Sequence, residues 1–288
     1  MCSSDLRVSE EAEIIVFERG PDVSFANCGL PYYLGGEITE RQKLLVASPD
    51  LLRGRFKIDV RTRSSVESID REGKMVRVRD LVSGREYSET YDKLILAPGA
   101  APLRPPLPGI DLPGIFTLRN LQDVDRIKER LDGGVRKVAI IGAGFIGLEL
   151  VHNCIGLGID TTLIELQDQV LPPFDQEMTT PVLEKLLSHG ARVMLGESAE
   201  GFETVDSGLA IRLRSGERIT ADLVILGIGV RPENKLAVEA GLEVGPRGGV
   251  RVDAQLRTSD PDIYAVGDAI ETHDFVTDRK STRLNSSH

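Results

Sequence analysis

Residues 138–165, VAIIGAGFIGLELVHNCIGLGIDTTLIE, constrain the fold more than any other part of the chain. An apolar run ends at Gly142, the loop GAGFIG places glycines at 142, 144 and 147, and a second apolar run ends in Glu165. In a strand–loop–helix unit, the first glycine permits the tight turn and the second lets backbone N–H groups approach a pyrophosphate. The third lets the helix pack closely on the strand, and the helix N-terminus favours the phosphate charge. The stretch therefore predicts a dinucleotide site at Gly142, Gly144 and Gly147, in preference to a glycine-rich turn of an unrelated α/β domain.

Glu165 refines this prediction. A carboxylate after the second strand is placed to accept hydrogen bonds from an adenosine ribose. The same charge repels a 2′-phosphate, so the sequence favours NADH, with NADPH as the alternative cofactor.

Length and charge limit the class of protein. The chain has 288 residues and a formal net charge of −10, which suggests about two domains and argues against nucleic acid or an anionic membrane as partner. No apolar stretch reaches membrane-spanning length and no secretory signal is apparent, so we expect a cytoplasmic protein. Cys2, Cys28 and Cys154 form no CxxC pair, and the four histidines show no metal-ligand spacing. We therefore expect no metal site.

The chain repeats itself. Residues 83–102 resemble residues 215–232, and VFERGPDV (16–23) resembles LIELQDQV (163–170), which aligns Glu18 with Glu165. Chance similarity between β-rich stretches is the alternative to a true repeat. We predict an α/β fold with two Rossmann-like, three-layer nucleotide domains in tandem, one inserted in the other.

Local patterns predict further elements. Helices are expected near 49–56, 120–131 and 176–189. Strands are expected at 13–18, 58–63, 66–70, 74–80 and 91–96, and over most of 192–226. The proline-rich stretch 102–114 is interpreted as a domain boundary.

Five motifs together carry a family resemblance. SFANCGLPYY (24–33) is followed in order by LILAPGA, GAGFIGLE, GIGVRP and DIYAVGD. The set resembles the single-cysteine flavoprotein disulfide reductases, in the branch of coenzyme A-disulfide reductase, NADH-dependent persulfide reductase and NADH oxidase. The resemblance covers roughly residues 8–278, and the segment around Cys28 is its most branch-specific part.

Cys28 is the candidate catalytic residue. It lies in a small-residue loop that leads into a helix, where N–H groups stabilise a thiolate and lower its pKa. With no second cysteine nearby, the oxidised form is a mixed disulfide with a small thiol or a sulfenic acid. A buried, inert cysteine is the alternative for Cys28, and Cys154 is the expected inert thiol.

The resemblance also implies cofactors and further site residues. It implies FAD, with Glu18 at its adenosine ribose and Asp268 at its ribityl hydroxyls, although a solvated loop acid is the alternative for each. It implies that Ser24 and Asn27 bind the small-thiol substrate and that Glu149 lies near the nicotinamide. The full-length form is expected to be a homodimer.

Two departures from the family pattern concern the ends of the chain. The first half shows no glycine loop before Glu18, so we expect an incomplete FAD domain with weak FAD binding and poor solubility. The C-terminal dimerisation domain of the family is not found after about residue 278. Residues 1–6 and 279–288 are interpreted as non-native tails, with a divergent start and a disordered tail as the alternative.

These observations give one hypothesis with two alternatives. The FAD domain is predicted at 7–107 and 252–278, and the NAD(P)H domain at 108–251. We expect electrons to pass from NADH through FAD to Cys28 and on to a coenzyme A-type disulfide or persulfide. The alternatives are an NADH oxidase that uses a Cys28 sulfenic acid, and a non-catalytic NADH-binding redox sensor or inactive fragment.

Overall fold

The computed structural model of the protein describes residues 11–206, 208–273 and 280–281. The described residues form two compact units. Unit 1 contains those before residue 26, those from 45 to 101 and those from 231 onward, and unit 2 contains residues 26–44 and 102–230. The predicted tail 1–6 and most of the predicted tail 279–288 lie outside the described residues.

Nineteen strands and six helices are present in the described residues. In chain order the strands are β1 (Ile15–Phe17), β2 (Asp59–Arg61), β3 (Ser64–Asp70), β4 (Met75–Asp80), β5 (Glu86–Thr90), β6 (Leu94–Leu96), β7 (Ala100–Pro102), β8 (Ile115–Thr117), β9 (Lys137–Ile141), β10 (Asp160–Ile164), β11 (Arg192–Met194), β12 (Ala199–Val205), β13 (Gly208–Leu213), β14 (Arg218–Ala221), β15 (Leu223–Leu226), β16 (Val230–Pro232), β17 (Ile263–Ala265), β18 (Thr272–His273) and β19 (Lys280–Ser281). The helices are α1 (Leu30–Gly35), α2 (Pro49–Phe56), α3 (Leu121–Asp132), α4 (Phe145–Gly156), α5 (Gln176–Ser188) and α6 (Lys235–Glu239).

Unit 2 is built on a five-stranded sheet in the order β11-β10-β9-β15-β8. All four pairings are parallel, and Ile141 at the end of β9 is level with Ile164 on one side and Leu226 on the other. The central strand β9 is buried from Val138 to Ile141, because a parallel sheet is covered on both faces. The carboxyl ends of β9, β10 and β15 therefore meet at one edge, where ligands bind in open α/β sheets.

Helix α3 shows how the sequence specifies the local structure of this unit. Asn120 caps it by accepting the Asp123 N–H, and the Asp123 carboxylate in turn accepts the Asn120 N–H. Leu121, Val124 and Ile127 are fully buried at three-residue spacing, so one face of the helix packs into the core.

Each unit also contains a three-stranded antiparallel sheet. Strands β3-β4-β5 form it in unit 1 and β12-β13-β14 form it in unit 2. Each antiparallel sheet is followed by an apolar strand, β6 in unit 1 and β15 in unit 2. This confirms the internal repeat and the α/β fold with two Rossmann-like units.

Unit 1 has shorter parallel pairings than unit 2. Strand β1 pairs with β2, and β6 pairs with β17, each as a two-stranded parallel sheet. The apolar core around β6 and β17 includes Leu96, Ile263 and Ala265. The predicted domain boundaries at 107/108 and 251/252 stay predictions.

Most predicted elements are confirmed, with differences at ends and short strands. Helix α2 has the predicted bounds, α3 begins and ends one residue later than predicted, and α5 ends one residue earlier. The strand expected at 91–96 begins at Leu94, and β8 follows directly on the proline-rich stretch. Within the described residues, none of the helices is long and apolar enough to cross a membrane.

Candidate functional site

The glycine loop of unit 2 has the geometry that its sequence predicts. Gly142 has a φ of +104°, and a Cβ added there would lie 2.5 Å from the Gly227 carbonyl oxygen. A Cβ on Gly147 would lie 1.9 Å from the Gly142 carbonyl oxygen. At Gly144, the N-cap of α4, no described atom lies within 4 Å of an added Cβ. The first and third glycines are therefore required by the fold, whereas the second leaves open space into which a ligand fits.

Glu165 closes this loop. The side chain is only 8% exposed, and its Oε2 accepts the Ala143 N–H at 2.6 Å. Its Oε1 accepts the Gln167 N–H at 2.9 Å. Each carboxylate oxygen has a second lone pair, so Glu165 fixes the loop and retains the capacity to accept a ribose hydroxyl.

Two further backbone hydrogen bonds hold the loop in place. The Gly227 N–H donates to the Ile141 carbonyl at 2.7 Å, and the Ala143 carbonyl accepts the Leu171 N–H at 2.9 Å. In the sequence, Gly227 stands out only as the first residue of the motif GIGVRP. Its role at the loop depends on β15 lying beside β9, which local spacing does not reveal.

Two exposed aromatic rings lie next to the loop. Phe145 is 62% exposed and Phe174 is 42% exposed, and their centroids are 5.9 Å apart in an edge-to-face arrangement. An edge-to-face arrangement at this distance is favourable, because the positive edge of one ring meets the negative face of the other. Sequence spacing does not reveal this pair, because the two rings come from different segments.

The two described cysteines differ in accessibility. Cys28 is exposed, in a single 3-10 turn (Asn27–Gly29) that runs directly into α1. Cys154 is buried in α4, and burial raises the pKa of its thiol to about 12. Because only the thiolate is a nucleophile, Cys154 is inert at neutral pH, as expected.

Glu149 lies on α4, within two turns of the glycine loop, and is half-buried. Burial raises the pKa of its carboxyl group above the usual range. Its predicted place near a nicotinamide stays a prediction. Within the described residues there is no group of histidine, cysteine and acidic side chains that could hold a metal ion.

In unit 1, the two predicted acidic site residues each follow a parallel strand. Glu18 follows β1, and its Oε1 accepts the Gly20 N–H at 2.5 Å. Asp268 is exposed and lies in a 3-10 turn after β17, next to Gly267, which has a φ of +74°. Ser24 is half-buried, and its carbonyl oxygen accepts the Val46 N–H at 3.1 Å. Both carboxylates thus have the placement that suits the hydroxyl groups of a nucleotide cofactor.

The fit to nucleotide cofactors differs between the units. In unit 2, the open space at Gly144 and the carboxylate of Glu165 fit the pyrophosphate and ribose of a dinucleotide. In unit 1, Glu18 and Asp268 fit ribose and ribityl hydroxyls, but its described residues contain no glycine-rich strand-to-helix loop. The described part of unit 1 therefore supplies hydroxyl acceptors without a phosphate loop.

The chain is similar in sequence and fold to several known proteins. An NADH oxidase from Methanocaldococcus jannaschii is 33% identical over 96% of this chain and 61% of its own length. A coenzyme A disulfide reductase from Staphylococcus aureus is 34% identical over 94% of this chain and 61% of its own length. The reduced CoADR-RHD of Bacillus anthracis is 47% identical with a TM-score of 0.93, over 96% of this chain and 49% of that one.

The chain thus spans about three fifths of the length of the curated relatives it matches. The family model described as pyridine nucleotide-disulphide oxidoreductase matches residues 2–284, which is nearly the whole chain. The protein belongs to the pyridine nucleotide-disulphide oxidoreductase family.

Proposed function

We propose that this chain supports NADH-dependent, FAD-linked reduction of a coenzyme A-type disulfide or persulfide through Cys28. The observation that carries the proposal is the exposure of Cys28 at the start of a helix, in a chain whose other described cysteine is buried. The relatives named coenzyme A disulfide reductase and CoADR-RHD support the substrate class.

Residues of both units have assigned roles in the proposal. The loop formed by Gly142, Gly144 and Gly147 binds the pyrophosphate of NADH, and Glu165 binds its adenosine ribose and disfavours NADPH. Glu149 lies beside the nicotinamide.

In unit 1, Glu18 and Asp268 bind the ribose and ribityl hydroxyls of FAD. When bound there, FAD would supply the chemistry that passes two electrons from NADH to a disulfide bond. We propose that residues 7–107 and 252–278 form the FAD-binding domain and that residues 108–251 form the NAD(P)H-binding domain.

Cys28 carries the sulfur chemistry. As a thiolate it attacks one sulfur of the disulfide, which forms a mixed disulfide with Cys28 and expels one thiolate. Two electrons and two protons then cleave the mixed disulfide, which regenerates the Cys28 thiol and releases the second thiol. Ser24 and Asn27 bind the small thiol during both steps. In a full-length homodimer the same chemistry takes place once in each subunit.

NADH oxidase is the second candidate, because the Methanocaldococcus jannaschii relative has that name. In this function Cys28 cycles between a thiolate and a sulfenic acid, and oxygen accepts the electrons. Both functions require an exposed single cysteine, so the geometry of Cys28 does not separate them.

The rate of NADH oxidation, measured under argon and in oxygen, distinguishes the disulfide reductase from the oxidase. The chain, supplied with FAD, is assayed for NADH oxidation with coenzyme A disulfide under argon and with oxygen alone. Disulfide reduction that is lost in Cys28→Ser and kept in Cys154→Ser supports the proposal. If NADH is oxidised with oxygen but not with coenzyme A disulfide, the result supports the oxidase. If NADH binds but is oxidised in neither condition, the result supports a redox sensor.

A further inference from the structure

The segment that carries Cys28 is held within unit 2 by contacts with its long helices. Arg41 donates through Nε to both carboxylate oxygens of Asp125 on α3, at 2.9 Å each. The Lys128 Nζ lies 5.6 Å from the centroid of the Tyr33 ring, in a cation–π contact. Helix α1 packs against α4, the helix that begins at the dinucleotide loop. The position of Cys28 is therefore determined largely by α3 and α4.

Helices α1 and α4 approach each other closely where Gly35 faces Asn153. A Cβ added to Gly35 would lie 1.8 Å from the Asn153 Oδ1 and 2.6 Å from its Cγ. Asn153 is only 4% exposed, and its Nδ2 donates to the Glu149 carbonyl at 2.7 Å. The opposite amide orientation would place a carbonyl against a carbonyl, so Oδ1 faces the Gly35 backbone. This contact fixes the C-terminal end of α1.

The other end of α1 is also fixed by a glycine. A Cβ added to Gly29 would lie 2.6 Å from the Leu44 Cδ2. The Gly29 N–H donates to the Ala26 carbonyl at 3.0 Å, which closes the turn that contains Cys28. Helix α1 has only six residues, so a displacement of its C-terminal end at Gly35 also moves its N-terminal end and the adjoining turn with Cys28.

We propose that Asn153 is a positioning residue for Cys28, acting through Gly35 and α1. The proposal rests on the function proposed for Cys28. Asn153 contributes no chemistry to the thiol. Instead, it sets the distance between α1 and the dinucleotide helix and so the place of the sulfur.

Gly35→Ala tests the proposal. Alanine ordinarily stabilises a helix relative to glycine, so any loss comes from the contact with Asn153. To reach ordinary contact near 3.4 Å from 1.8 Å, the Asn153 amide and helix α1 together have to move apart by about 1.6 Å, and because the Asn153 Cβ would also lie only 2.9 Å away, rotation of the amide does not suffice. Cys28 is already exposed, so a displaced helix changes the surroundings of the thiol rather than its access. We expect the rate of Cys28 alkylation by iodoacetamide, followed by peptide mass spectrometry, to change at least about threefold. We expect kcat for NADH-dependent disulfide reduction to fall about 100-fold with the KM for NADH unchanged.

A matched control and a compensating change complete the test. Gly156 ends the same helix as Asn153, and no described atom lies within 4 Å of a Cβ added there, so Gly156→Ala should leave the Cys28 alkylation rate unchanged. The double variant Gly35→Ala/Asn153→Gly adds a methyl group to α1 and removes the facing side chain from α4, so the space between the helices is restored. Its alkylation rate should return to within about twofold of wild type.

Other results contradict the proposal. A folded Gly35→Ala protein with wild-type alkylation of Cys28, or a double variant that recovers nothing, would show that the contact does not position the thiol. If Gly35→Ala does not fold, Asn153→Ala removes the contact without adding an atom, and an unchanged Cys28 rate in that variant overturns the proposal. An absence of turnover in wild type would refute the proposed function, while the alkylation rates would still decide the role of Asn153.

Discussion

Gly147→Ala is the substitution whose consequence follows most directly from the structure. The added methyl group would lie 1.9 Å from the Gly142 carbonyl oxygen, whereas ordinary contact begins near 3.4 Å. The start of α4 therefore has to move by about 1.5 Å (3.4 − 1.9) away from the loop. Overpacking of this kind costs about 1–3 kcal/mol, and the gain in helix propensity offsets up to about 1 kcal/mol of it.

The effect on the dinucleotide should exceed the effect on stability. In the proposed site, the displaced helix carries the N–H groups that would donate to the pyrophosphate. The loss of two hydrogen bonds to a charged group costs about 3 kcal/mol, or roughly 100-fold in the Kd of NADH. NADH affinity is measured by fluorescence titration, and the free energy of unfolding by urea denaturation. Gly156→Ala, in the same helix but with open space around it, should keep wild-type affinity. If Gly147→Ala binds NADH as tightly as wild type, the loop is not the dinucleotide site.

Three further predictions concern charged and sulfur-containing groups. Glu165→Gln should weaken NADH binding about tenfold and reduce the preference for NADH over NADPH, because a neutral amide no longer repels a 2′-phosphate. Equal loss for both cofactors in binding titrations would contradict this role. At pH 8 the Cys154 thiol, with a pKa of about 12, should resist iodoacetamide until the protein unfolds. Labelling of native protein at Cys154 would show that the thiol is accessible. Lys74 and Lys93 lower the pKa of Asp262 from 3.8 to about 2, so its stabilising contribution is present above pH 4 and is lost as the pH falls through 2. Acid unfolding of Asp262→Asn should show a shallower dependence on pH in this range, and an unchanged profile would refute the assignment.

The sequence predicted the dinucleotide unit well because its constraints are local. Gly142 has a φ of +104°, which the turn itself requires, and a Cβ on Gly147 would meet the carbonyl oxygen of Gly142, only five residues earlier. Helix α3 was equally predictable, since its capping residue Asn120 and its apolar face lie in one short segment.

Contacts between distant segments were not predictable from spacing. Gly227 reaches the loop only because β15 pairs with β9, and Gly35 meets Asn153 only because α1 packs on α4. The motif around Cys28 predicts a nucleophile but does not reveal that this segment belongs to the same compact unit as the glycine loop of unit 2.

The most direct test of the central claim is an anaerobic titration of the FAD-loaded protein with NADH, followed by visible absorption. The protein is first treated with coenzyme A disulfide and desalted, so that Cys28 begins as a mixed disulfide. The account predicts uptake of about two equivalents of NADH, with thiol release before the flavin band bleaches, and about one equivalent in Cys28→Ser. Bleaching from the first addition in both proteins, with the same end point and no released thiol, would contradict a role for Cys28 in electron transfer.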